Sequence, residues 1–145
     1  MLTDEARLAG HIAHVNVVPM LDVIASDGEL ALVMEYVHGD SLASLLAKPD
    51  VGVIPISVAT CLITGVLQAL RAAHEARGEH GEPLGIVHRD VSPDNVLVGA
   101  DGVPRVLAFG VAKAKGRLRS TPAGHVKGKL AYMPYEHKLQ TQGTQ

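Results

Sequence analysis

An α+β fold is predicted from two hairpin patterns and one long helical pattern. Strand-like residues 17–24 and 30–36 are separated by turn residues, which predicts one hairpin. An Asp-Gly turn at 100–102 predicts a second hairpin at 96–107. Residues 56–77 repeat apolar side chains at helical spacing, so the larger layer should be mainly helical and packed around this segment.

Start and stop signals bound the predicted helices. A first helix is predicted at 3–14, and a short one at 42–47 follows a break in the strand pattern at 39–41, where Ser41 is the predicted N-cap. Pro55 precedes the long helix and Gly78 follows it. The predicted core positions of the long helix are Val58, Leu62, Val66, Ala69, Leu70 and Ala73.

Composition fits one soluble globular domain. The chain has 145 residues, of which 47% are hydrophobic and 19% charged, and its net charge of -2 gives no reason to expect a nucleic-acid partner. The single cysteine, Cys61, excludes an internal disulfide and lies in an apolar helical pattern, which predicts an inert core thiol. Eight scattered histidines without a C-x-x-C motif do not indicate a structural metal site.

The sequence predicts a cytoplasmic protein without a membrane span. Met1 is followed by an acidic segment rather than by the basic start and apolar core of a secretory signal. Residues 51–70 are uncharged and long enough to cross a bilayer. Pro55 and several polar residues interrupt them, so a buried helix of a soluble domain is the favoured interpretation.

The segment with the clearest chemistry reads H-R-D-x-x-x-x-N, from His88 through Arg89 and Asp90 to Asn95. It lies between two short apolar runs, 85–87 and 96–98, each predicted to be a strand. An Asp and an Asn at this spacing can face one cleft, where the carboxylate accepts a proton and the amide oxygen faces a cation. The alternative interpretation is an Asx-rich turn with a hydrogen-bonded histidine.

This segment resembles the catalytic loop of eukaryotic-like protein kinases, in particular the bacterial serine/threonine branch. The resemblance implies an incomplete kinase-like domain over 1–145, with a small-lobe remnant and hinge at 1–37 and a partial large lobe at 38–145. It implies that His88, Arg89, Asp90 and Asn95 form the catalytic motif, in which Asp90 is the catalytic base and Asn95 binds magnesium.

The same resemblance assigns residues around the nucleotide. Met34, Glu35 and Val37 correspond to the hinge, whose backbone binds adenine in the family, although a buried edge strand predicts the same residues. Glu5 corresponds to the glutamate that pairs with the strand-three lysine, and it equally suits a first helical turn.

Downstream, the resemblance is imperfect. Phe109 and Gly110 match the D-F-G motif, and Glu136 matches the last residue of A-P-E. Ser120 and Thr121 lie in a basic segment that corresponds to the activation segment, where a phosphate could pair with the arginine of H-R-D; a mobile loop with solvated charges is the alternative.

Three departures bear on activity. Ala108 stands in place of the metal-binding aspartate, Ser92 stands where many members of the family have lysine, and neither a Gly-rich loop nor a V-A-I-K lysine is found before Glu5. The family uses ATP and magnesium. Because of these three departures, weak or no binding of both is expected here.

The functional prediction is a serine/threonine kinase-like domain that is inactive as this chain. The alternatives are a pseudokinase-type scaffold that binds a protein partner through exposed apolar surface, a non-functional gene fragment, and a kinase whose missing lobe comes from another chain.

Overall fold

The computed structural model describes residues 10, 12–26, 29–107 and 132. The strands and helices are β1 (Met20–Ser26), β2 (Glu29–Met34), β3 (Gly39–Ser41), α1 (Leu42–Ala47), α2 (Ile56–His74), β4 (Val96–Gly99) and β5 (Pro104–Val106), with a 3-10 turn at Pro93–Asn95 before β4. The strands form a two-stranded sheet, β1-β2, and a three-stranded sheet, β3-β4-β5. This is the predicted α+β architecture.

The first hairpin forms as predicted but begins later. β1 and β2 pair antiparallel, for example Val23 with Leu32. The expected strand start at Val17 is wrong, because Val17 forms a parallel bridge with Val106 of β5 instead. Val18 donates its backbone N–H to the carbonyl of Val106 at 3.0 Å. Val17 and Val18 therefore connect the three-stranded sheet to the segment that leads into the two-stranded sheet.

The segment before β1 is not helical where the structure describes it. The predicted first helix should reach His14, but residues 12–14 have no helical assignment and residues 15–16 form a turn. The N–H of Val17 closes that turn on the carbonyl of His14 at 3.0 Å. Residues 3–9 of the predicted helix lie outside the described residues.

The second hairpin, β4-β5, is confirmed, and it gains a third strand that the sequence did not predict. Gly39 was expected to break the strand pattern, yet it pairs with Gly99 at the edge of β4. A Cβ atom at Gly39 would contact the carbonyl oxygen of Val98 and lie 2.8 Å from the Cα atom of Gly99. Glycine is therefore what permits the approach of β3.

Helix α1 has the predicted bounds and the predicted cap. The side chain of Ser41 accepts a hydrogen bond from the backbone N–H of Ser44 at 3.1 Å. This bond satisfies one of the free amide groups that every helix N-terminus presents. The cap explains why β3 passes directly into the helix.

Helix α2 ends at His74 rather than near Arg77. After the helix, the carbonyl of Ala76 accepts a hydrogen bond from Leu84, and the N–H of Gly78 donates to the carbonyl of Glu82. Arg77 forms an isolated bridge with Pro83. These backbone groups bond to the returning chain, so the helix stops one turn before the predicted glycine.

The buried face of α2 consists of small residues. Gly65, Ala69 and Ala73 are spaced four apart and are buried. A Cβ atom at Gly65 would contact Pro104 of β5 and lie 2.9 Å from Nδ2 of Asn16. The helix therefore packs directly on β5, and the core cluster comprises Ile12, Val17, Ala69, Ala73, Ile86 and Val106.

Two predictions for α2 are wrong, whereas Ala69 and Ala73 are buried as predicted. Val58, expected in the core, is 46% exposed, and Cys61 is exposed rather than buried. Both lie in the first two turns of the helix, and its buried residues begin only at Gly65. Ile63 and Leu67 are also exposed.

Within the described residues, α2 is the one helix long and apolar enough to span a membrane by length and composition. Only 17% of its most apolar window is buried. The helix is therefore much less buried than expected for the described part of the chain, although core helices of soluble proteins pass the same test.

Candidate active site

His88 anchors the H-R-D segment from inside the protein. Its side chain is 2% exposed, and its Nε2 atom lies 2.9 Å from the carbonyl oxygen of Leu107. Its Nδ1 atom accepts the backbone N–H of Asp90 at 3.2 Å. Because that N–H can only donate, Nδ1 is unprotonated and Nε2 is the donor. Burial lowers the pKa of His88, so the ring is neutral. Its hydrogen bond with the N–H of Asp90 fixes the backbone position of that residue.

Arg89 occupies the left-handed region of the backbone map, with φ of 65°. In the described part of the chain it is the one non-glycine residue with positive φ. Such a conformation costs on the order of 1 kcal/mol and is found often at functional sites. It turns the chain sharply between the buried His88 and the half-buried Asp90, and it leaves Arg89 exposed.

Asn95 fixes the other end of the segment. Its amide nitrogen Nδ2 donates to the backbone carbonyl of Asp90 at 2.8 Å and lies 3.2 Å from that residue's Oδ2 atom. It also lies 3.4 Å from the hydroxyl of the buried Ser92. The structure thus brings the predicted Asp and Asn together, and Oδ1 is the Asn95 atom able to face a cation.

The segment is bounded by a strand on one side only. β4 follows it as predicted, but residues 85–87 are not a strand. Gly85 has φ of 60°, which interrupts an extended conformation, and Ile86 packs into the core instead. A 3-10 turn, closed by the N–H of Asn95 on the carbonyl of Ser92, delivers the segment to β4.

Leu107 is a part of the site that the sequence did not single out. Its carbonyl accepts from His88, and its N–H donates to the carbonyl of Asn95 at 2.9 Å. Both ends of the H-R-D segment are therefore bonded to the residue just before Ala108. The available signal was its position one residue ahead of the Ala-Phe-Gly run.

The hinge segment follows β2. Met34 ends that strand opposite Met20 and is half-buried. Glu35 donates its N–H to the carbonyl of Pro19 at 2.9 Å. Among the described residues, no backbone hydrogen bond uses the carbonyl of Glu35 or the N–H of Val37. These two groups are the kind of acceptor and donor that an adenine edge requires.

Several predicted site residues lie outside the described residues, and their roles stay predictions. They are Glu5, Phe109, Gly110, Ser120, Thr121 and Glu136, together with Ala108 at the departed position.

Comparison with known proteins decides the family. The sequence profile of the protein kinase domain matches residues 1–144. The chain belongs to the protein kinase family. Its fold is accordingly a partial protein-kinase-like fold of the α+β class, and the division between lobes at residue 37 stays a prediction.

Bacterial kinases are among the relatives of this kinase domain. It is 39% identical over 138 residues to the tyrosine-protein kinase MasK of Myxococcus xanthus. The matched region covers 94% of this chain and 21% of MasK. It is 35% identical over 140 residues to the serine/threonine-protein kinase PknE of Mycobacterium tuberculosis, covering 97% of this chain and 23% of PknE. The chain therefore spans about a fifth of the length of these relatives.

Kinases of this family use ATP and magnesium. The residues present suit the adenine base better than they suit the metal ion. The hinge offers backbone groups to a base. Magnesium requires several oxygen ligands in an octahedron. Asn95 offers one neutral oxygen, Ala108 offers none, and no cluster of three His, Cys, Asp or Glu side chains occurs among the described residues. The donor set does not fit a magnesium ion.

The buried His88 predicts an acid-sensitive fold. Since burial lowers its pKa in the folded state, the unfolded state binds a proton more readily. The free energy of unfolding should therefore be highest at pH values above the ordinary histidine pKa of about 6.5. As the pH decreases below that value, protonation of this residue in the unfolded state should reduce the free energy of unfolding by up to ~1.4 kcal/mol per pH unit. Urea unfolding between pH 7.5 and 5 measures the slope.

The control separates His88 from the exposed histidines. His88→Gln should be less stable at pH 7.5 and should lose part of the acid slope, whereas His80→Gln should keep the slope. An unchanged slope in His88→Gln would mean that another group causes the acid sensitivity.

Proposed function

We propose that this chain is a protein serine/threonine kinase-like domain that binds an adenine nucleotide weakly at its hinge and does not transfer phosphate. One observation carries the proposal. The H-R-D segment is assembled, with Asn95 bonded to both Asp90 and Leu107, but the residue after Leu107 is alanine. The family has its metal-binding carboxylate at that position.

The alanine has a large expected effect on chemistry. Phosphoryl transfer depends mainly on positioning and on neutralising charge. Loss of one preorganised charge-stabilising group costs about 10²–10³ in rate. Asn95 is a single neutral ligand and does not replace a carboxylate. The 145 residues also contain no G-x-G-x-x-G segment that could cradle phosphates.

The hinge supports the nucleotide part of the proposal. Glu35 is fixed by its N–H to Pro19, so its carbonyl has a defined direction. Val37, two residues on, is half-buried and retains an N–H without a backbone acceptor among the described residues. Contacts of this kind need backbone and apolar surface rather than charged side chains.

The test is incorporation of the radiolabelled γ-phosphate of ATP into a generic basic protein and into the chain itself at Ser120 and Thr121. No signal above background is expected, with or without magnesium. Asp90→Asn is the matched control because it removes the proposed base and preserves the shape of the side chain. Label that is incorporated by the unmodified chain and lost in Asp90→Asn would contradict the proposal.

A second candidate function is protein binding through the exposed face of α2. Ile56 is 86% exposed, Ile63 60% and Leu67 58%, all on the helix face that does not pack on β5. Exposed apolar patches in soluble proteins mark interaction surfaces or aggregation sites. The proposed partner is another protein chain with an apolar surface, in a cytoplasm where the exposed thiol of Cys61 stays reduced.

Sedimentation measurements distinguish this second function. The purified chain should self-associate, and Ile63→Gln combined with Leu67→Gln should shift it toward monomer. Thr64→Gln, on the same exposed side but already polar, should leave the association unchanged. If the unmodified chain is monomeric at all concentrations, this result would argue against an apolar docking surface.

A further inference from the structure

A cavity of about 450 Å³ lies beside the hinge, away from the H-R-D segment. Its three walls are residues 14–19, the hinge residues 35–38, and the β4-β5 turn with its flanks, residues 99–105. Neither Met34 nor any residue of the H-R-D segment lines it. The volume lies in the range of small-molecule sites in proteins.

Two of the charges in the cavity compensate each other. Arg105 places its two terminal nitrogens on the carboxylate of Asp101, at 2.7 Å from Oδ2 and 3.1 Å from Oδ1. The Arg105 side chain is only 21% exposed. This bidentate contact is the main reason why the pKa of Asp101 falls to about 2. The pair is thus fully ionised and has no net charge.

Glu35 carries a third formal charge, a negative one, in addition to the Arg105–Asp101 pair. It lines the same cavity, and its carboxylate makes no hydrogen bond or salt bridge within 4.0 Å among the described residues. Its nearness to Arg105 contributes to the raised pKa of that guanidinium, but Arg105 is already engaged by Asp101. The formal charges of Arg105, Asp101 and Glu35 sum to one negative charge.

Apolar surface completes the walls. Val17 is 4% exposed and belongs to the core, and Pro19, Val37 and Ala100 contribute further apolar surface. A ligand complementary to this lining has an apolar body and one positive charge. His14 and His38 also line the cavity, and the Nδ1 atom of His14 accepts the N–H of Asn16 at 3.1 Å.

We propose that this cavity binds a small molecule with one protonated amine on an apolar ring, the amine pairing with Glu35. The proposal does not rest on the proposed nucleotide function, although both involve Glu35 and Val37. The amine would pair with the Glu35 carboxylate, whereas the adenine would use the Glu35 carbonyl and the Val37 N–H. A bound molecule would contact all three walls and so connect the hinge to the β4-β5 turn.

Fluorine NMR with 4-fluorophenethylamine as the probe tests the site on the full chain. Saturable binding is expected in the millimolar range, on the order set by the ligand efficiency of about ten heavy atoms. The anion 4-fluorophenylacetate, with a similar ring, should not bind. Glu35→Gln should weaken amine binding about tenfold, because it removes the charge and keeps the shape.

Two variants locate the binding. Ala100→Trp should abolish it by filling the cavity. Glu75→Gln, which changes a carboxylate at the C-cap of α2 outside the cavity lining, should leave it unchanged. Binding that survives Ala100→Trp would place the amine elsewhere and overturn the proposal. Equal binding of amine and anion, or no loss in Glu35→Gln, would overturn the role assigned to the charge.

Discussion

Gly65→Leu should reduce the free energy of unfolding by about 3 kcal/mol or more, the upper range for overpacking a core. The added Cβ alone would lie 2.9 Å from Nδ2 of Asn16 and would contact the ring of Pro104. Asn16 cannot move freely, because that same Nδ2 donates to the carbonyl of Pro104 at 2.8 Å in a buried hydrogen bond. Urea unfolding measures the change.

Thr64→Leu is the control for this effect. Thr64 is the neighbouring residue of α2, is exposed, and accepts the same new side chain without meeting β5. Its stability should stay within about 0.5 kcal/mol of the unmodified chain. If the two variants unfold at the same urea concentration, α2 does not pack on β5 through its small residues.

Ala108→Asp should make nucleotide binding sensitive to magnesium. The new carboxylate follows Leu107, which is bonded to both His88 and Asn95, and it would add a charged oxygen ligand to the neutral one of Asn95. We expect magnesium to tighten ATP binding by about tenfold, which corresponds to ~1.4 kcal/mol. Calorimetric titration with and without magnesium measures this change.

Ala108→Asn is the matched control because it has the same shape without the charge. It should bind ATP equally with and without magnesium. Phosphate transfer should stay undetected in both variants, since one restored ligand leaves the phosphates without a glycine loop. Transfer by Ala108→Asp alone would show that the alanine is the sole reason for inactivity.

Local signals allowed much of the fold to be predicted. The Ser41 cap and the apolar run after it gave the bounds of α1, and the Asp-Gly turn at 101–102 gave the β4-β5 hairpin. These elements depend on residues within a few positions of one another. The spacing of Asp90 and Asn95 likewise predicted that the two side chains meet.

The elements that were missed depend on distant contacts. β3 forms because Gly39 can approach Gly99, sixty residues later, which no local pattern reveals. On α2, Ala69 and Ala73 are buried as predicted, but Gly65 was not assigned to the core and faces Pro104 because it has no Cβ atom. Cys61 was assigned to the core and is exposed, because the buried residues of the helix begin only at Gly65.

We propose that this kinase-family domain retains a hinge for the base and lacks a site for the metal. Calorimetry of ATP binding to the unmodified chain tests it most directly, in magnesium and in a chelator. Weak binding of equal affinity is expected under both conditions. Tight binding that requires magnesium would contradict it.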